Sequence, residues 1–138
     1  MNRELKFRFW NRIAQRFQPA SKYAIDGKGD LVAYDYEIGA YNDAVSFSKT
    51  CIVAQQWTGC IDKNEKQIYE GDIVRAYSEH YSNENYIAVV IFDESFFIAK
   101  LNDKDTRGVW SGEDIEVIGN IFENTELLNQ LGVIETTK

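Results

Sequence analysis

The residues that could do chemistry are few. His80 is the only imidazole in 138 residues, so a Ser-His-Asp or Cys-His arrangement would have to pair it with Cys51, Cys60 or a loop serine. No nucleophile elbow or similar local signature accompanies it, and its setting, Glu79-His80-Tyr81, is that of a surface histidine. One histidine also rules out a two-histidine zinc site. Asp103, Asp105 and Asp114 with Gly108 echo a calcium loop at positions one, three, twelve and six. However, Arg107 stands where an oxygen ligand belongs, and the twelfth residue is Asp rather than the bidentate Glu. Strand patterns rather than helices flank it, so a solvated hairpin loop is the better reading. The adjacent acids Asp93-Glu94 and Glu113-Asp114, and Glu70 beside Asp72, could support acid-base catalysis. In hairpin turns such pairs are normally just hydrated. Gly27-Lys28-Gly29 lacks the third glycine and following helix of a dinucleotide fingerprint and reads as a turn. No catalytic residue, cofactor site or metal site is therefore assigned, and the chain is expected not to be an enzyme.

Charge gives a second candidate. Arg3, Lys6, Arg8, Arg12, Arg16 and Lys22 against Glu4 give residues 1–22 a balance of +5, which leaves −12 on the remainder of a −7 chain. Lys6, Arg8, Arg12 and Arg16, interleaved with Phe7, Phe9, Trp10 and Phe17, are the candidate nucleic-acid contacts, with cations for phosphates and rings for bases. Against this, the total charge repels polyanions, and strand alternation would turn the rings inward. The opposite poles could equally pair within the fold, pair between copies of the chain, or meet an acidic partner.

These residues need a frame. Hydrophobic residues make up 44% of the chain and aromatics 14%, enough for a core without metals or disulfides. One shared core, or two small subdomains, fits the length. No apolar run is long enough to span a bilayer, and the N-terminus lacks a signal-peptide pattern. Cys51 and Cys60 make no CxxC pair. Free thiols in the cytoplasm, with no membrane contact, are the expectation.

Leu5-Lys6-Phe7-Arg8-Phe9 alternates as a strand that buries Leu5, Phe7 and Phe9. A short strand around Phe17 follows, ended or confined to an edge by Pro19. Tyr23–Ile25 and Leu31–Tyr34 flank the turn Asp26–Asp30 as a hairpin, with Gly27 and Gly29 both supplying positive φ. From Asp35 to Lys49 the pattern fades into a loop with a helical turn near Asp43. Cys51–Trp57 is a strand, Asp62–Lys66 a polar turn, and Gln67–Tyr77 a kinked or bulged strand around Gly71-Asp72. Tyr86–Phe92 and Phe96–Leu101 form the clearest hairpin, and Ile115–Ile121 supplies the last strand. Asn124 caps a short helix whose Leu127, Leu128 and Leu131 cover one end of the sheet, and residues 132–138 fray.

Laid out in this way, the chain resembles the YopX family of phage and prophage proteins from Gram-positive bacteria. The resemblance rests on Arg3 to Trp10, on Gln56-Trp57-Thr58-Gly59, on Asp62-Lys63-Asn64 leading into Ile68-Tyr69-Glu70-Gly71-Asp72-Ile73-Val74, and on Ile115 to Asn124. There are three departures: Cys60 replaces an apolar residue, Glu65 the glycine after Lys-Asn, and Thr125 the proline after the late Asn. The resemblance implies a mainly β chain, with an SH3-like barrel over 61–124, a smaller α+β portion over 1–60, and a helix and tail over 125–138. It brings no catalytic residues. The expected role is a non-enzymatic, homo-oligomeric module binding a host or phage protein, with nucleic-acid binding through the basic strand as the alternative. Trp57 and Gly59 at the junction, Gly71 and Asp72 at the barrel's opening, and Gly119 and Asn120 at the last turn are assigned structural roles.

Overall fold

The computed structural model describes residues 4–43, 51–78, 84–93, 96–100, 106–107 and 115–136. Regular structure among them is antiparallel strand apart from one 3-10 helix. The chain divides into two compact units, residues 1–56 and 57–138, and the division falls inside one strand, β6 (Ile52–Ile61).

In the first unit, β1 (Phe7–Asn11) lies between β2 (Arg16–Gln18) and the first half of β6. A separate meander joins β3 (Tyr23–Ile25), β4 (Leu31–Asp35) and β5 (Ala40–Asp43). Phe9, Tyr23 and Ile52 form the buried centre, flanked by Phe7, Ile25, Leu31, Ala33 and Ala54. The alternation predicted for the first strand is displaced. Leu5 precedes the strand and is 55% exposed, whereas the adjacent Phe9 and Trp10 are both buried. Trp10 points to the face opposite Phe9 and packs edge-on against Phe17, its direct cross-strand partner. Burial on both faces overrides simple alternation here. Pro19 follows β2, which is an edge strand, as a residue without an N–H requires.

The β3–β4 hairpin sits where its sequence places it, with one difference: Gly29 alone has positive φ, at 86°. The Asp26 carboxylate replaces the second glycine's contribution by accepting from the N–H groups of Lys28 and Asp30. Those backbone donors hold its pKa below the ordinary carboxylate value. The loop predicted from Asp35 onward is in part a strand, since β5 pairs with β4 from Val32↔Asp43 to Asp35↔Ala40. All four β5 residues are exposed, so burial left no alternation to read. The rest of the predicted loop, 44–49, lies outside the described residues.

The second unit is built on β8 (Asp72–Ser78), β9 (Glu84–Asp93) and β10 (Phe96–Lys100), extended by β11 (Thr106–Arg107) beyond β10 and β12 (Ile115–Asn120) beyond β8. Residues 84–89 of β9 pair with β8, and 89–93 pair with β10. This leaves one edge of 84–87 for β13 (Gly132–Thr136). The expectation of a frayed C-terminal tail is thus corrected: residues 132–136 are a paired strand. The second half of β6 pairs with β7 (Gln67–Tyr69). Ile68, Val74, Ala76, Tyr86, Ala88, Val90, Ala99 and Ile115 make the core. Small residues recur because three neighbouring strands each place an alanine in it. The 3-10 helix Thr125–Gln130 follows Asn124 but buries none of its residues, and Leu128 stays 38% exposed. It is a connector to β13 rather than the expected apolar cover.

Candidate functional site

Four polar side chains are buried among the described residues, and three of them serve the second unit's backbone. Asp72, 1% exposed, accepts from the Tyr69 N–H at 2.8 Å and closes the turn before β8. Gly71 in that turn has φ 83°; its N–H donates to the Val90 carbonyl and its own carbonyl accepts from Ile121. Asn120 accepts from the Phe122 and Glu123 N–H groups and donates to the Glu123 carboxylate. Gly119 sits at a β-bulge in β12, where a Cβ would lie 2.5 Å from the Asn124 Oδ1 that holds the Asn120 N–H. Gly59, φ 90°, lies in the irregular stretch between Trp57 and Ile61, and the Trp57 indole N–H donates to the Cys60 carbonyl. Each of these residues therefore shapes backbone.

Sequence reasoning missed Asp62. Its carboxylate is 4% exposed and accepts from the N–H groups of Asn64 and Lys66 within its own turn, and of Val117 in β12 at 2.9 Å. Burial works against ionisation, yet the donors from Val117, Lys66 and Asn64 outweigh it and lower the pKa. A leading Asp in a polar turn was the visible signal. Its reach across 55 positions was not. Glu65 in the same turn has φ 64°, a left-handed angle that favours the glycine it replaces.

Two of the four candidate nucleic-acid cations have partners within the chain. Arg8 donates to Gln55 Oε1 at 2.8 Å and lies 4.8 Å over the Phe17 ring, and Lys6 pairs with Glu4 at 3.4 Å. Arg12 and Arg16 are exposed around the β1–β2 turn. The aromatic residues meant to stack on bases include the buried Phe9 and Trp10. His80, the Asp103, Asp105 and Asp114 set, Glu94 and the Glu113-Asp114 pair lie outside the described residues. Among the described residues no group of three or more His, Cys, Asp or Glu converges as for a metal ion. Cys51 and Cys60 are free thiols.

A surface that sequence reasoning also missed lies on the β4–β5 hairpin. Tyr34 packs edge-on against Tyr36 at 4.9 Å and against Tyr41 at 5.1 Å. Tyr36, Ile38 and Tyr41 are 75%, 63% and 44% exposed. Tyr34, Tyr36, Asp35, Glu37, Asn42 and Asp43 line an open groove of about 520 Å³. Asp35 fixes the hairpin by accepting from the Glu37 N–H and the Asn42 side chain. Beyond β5 no further strand is paired among the described residues, so β5 is an edge. The signal available was three tyrosines within eight positions around Gly39, in a stretch read as loop.

Fold and site together define a small, mainly β protein of antiparallel strands in which three of the four buried polar side chains among the described residues serve backbone. The YopX family model (YopX protein) matches residues 6–129, and the chain belongs to that family. Solved structures share the fold. One is protein EF1440 from Enterococcus faecalis, with TM-score 0.60 and 21% identity over 91% of this chain and 98% of that one. Another is yopX from Bacillus subtilis, with TM-score 0.55 and 21% identity over 96% of this chain and 97% of that one. No curated protein matches the sequence. No helix among the described residues is long and apolar enough to cross a membrane.

Proposed function

We propose that the chain is a non-enzymatic, phage- or prophage-encoded protein that binds a protein partner in the host cytoplasm. The observation that carries this reading is the β4–β5 hairpin, an edge strand bearing exposed Tyr36, Ile38 and Tyr41. Edge strands offer main-chain donors and acceptors to an incoming strand, and exposed rings supply contact area at low entropic cost. Self-association fits a second exposed aromatic patch, Phe92 and Phe96 at the β9–β10 hairpin. In this reading the second unit is an SH3-like barrel, which agrees with the β8–β9–β10 meander flanked by β12 and β13. The N-terminal unit is the smaller α+β portion.

The test compares the tagged wild type with Tyr36→Ala/Tyr41→Ala in the phage-infected or induced host. A stoichiometric protein retained by the wild type and lost with the variant supports the reading. Retention unaffected by the variant moves the surface elsewhere, and no retained protein removes the role. Light scattering of the purified chain separates oligomer from monomer.

A further inference from the structure

Resting on that reading, we infer that the β4–β5 edge takes a basic, extended peptide segment of its partner. The chemistry of the hairpin is one-sided. Leu31 to Asp43 contains Asp35, Glu37 and Asp43 and no lysine or arginine. The three carboxylates line the same groove as Tyr34 and Tyr36. Tyr36 and Tyr41 pack edge-on against Tyr34 yet remain exposed, and an exposed tyrosine ring attracts a lysine or arginine side chain. Exposed Glu37, in the turn, and Asp43, at the far end of β5, can then pair with separate cations along the segment, which is how complementary charge selects and steers a partner. An incoming strand places alternate side chains on one face, so a residue pattern with a cation at every second position matches β5.

The basic strand β1 is not this ligand in a second copy. β1 is hydrogen-bonded on both edges, to β2 and to β6, so it has no edge with which to add to another sheet. Its Arg8 is held by Gln55 and Phe17.

The experiment titrates the full, isotope-labelled chain with a short synthetic peptide of alternating lysine and threonine, and with its glutamine-threonine counterpart, following backbone amides by NMR. The expected result is shifts confined to residues 33–43 with the lysine peptide. These should weaken at least about tenfold in Glu37→Gln/Asp43→Asn, and again when salt rises from about 50 to about 500 mM. Both substitutions are on exposed side chains, and an unchanged spectrum elsewhere confirms that the variant is folded. Equal binding of the glutamine peptide overturns the charge selection while leaving a protein-binding edge in place. Silence with both peptides overturns the inference and removes this edge from the proposed function. Shifts at 33–43 that grow with protein concentration alone make the occupant a second copy, which also overturns it.

Discussion

Both units fix their turns with Asp and Asn side chains, but in opposite surroundings. In the first unit, Asn11, Asp26 and Asp35 each accept from N–H groups two to four residues ahead, in exposed turns. In the second, Asp62 and Asn120 do so with 4% and 7% exposure, Asp72, 1% exposed, accepts from the N–H of Tyr69 three residues behind it, and Asp62 ties its turn to β12. A hydrogen bond in water exchanges one partner for another, whereas an orphaned buried donor bears its full desolvation cost. The same residue type is therefore a local convenience in one unit and a fold determinant in the other.

Several substitutions can break this comparison. Ile68→Ala, at a position with no exposure, should cost about 3 kcal/mol of the second unit's stability in a denaturant titration, from lost burial plus a cavity. Asp62→Ala should cost about 2 kcal/mol by orphaning buried N–H donors, whereas Asp26→Ala should scarcely move the midpoint. The pH dependence has a definite sign. The folded pKa of Asp62 lies below its unfolded value, so its contribution is full above the unfolded carboxylate pKa. It is lost as pH falls through the folded one. Wild type should thus lose stability on acidification, and Asp62→Ala should lose less over the same interval.

Gly71→Val forces a β-branched residue to φ 83° and should cost about 1–3 kcal/mol, lowering the melting temperature; an unchanged value would mean the turn relaxes freely. Glu65→Gly reverses the sign. It removes left-handed strain at φ 64° and should stabilise by up to about 1 kcal/mol, less whatever chain entropy glycine adds to the unfolded state.

Much of the strand layout was legible in the sequence, because the β3–β4 and β9–β10 hairpins combine apolar runs with turn residues. The kink at Gly71-Asp72 was legible for the same reason. What was not legible follows from physics that neighbouring residues do not encode. β5 is exposed on all four residues, so it has no hydrophobic period. β13 is defined by pairing with β9, some 45 positions away. Trp10 is buried although alternation turns it outward, because Phe17 comes to it across the hairpin. That Gln55 engages Arg8 was not legible in the basic strand either. The YopX resemblance located Glu65 as a departure, and its left-handed φ supplies the reason glycine suits that place.

The most direct test is amide hydrogen exchange on the full chain at neutral pH. Ile73, Val74 and Ala88 are expected to exchange slowest, and the amides of β5 at least about a hundredfold faster until a lysine-threonine peptide slows them. If β5 without peptide is as protected as β8, its edge is already covered, and the division between a self-satisfied unit and an open binding edge is wrong.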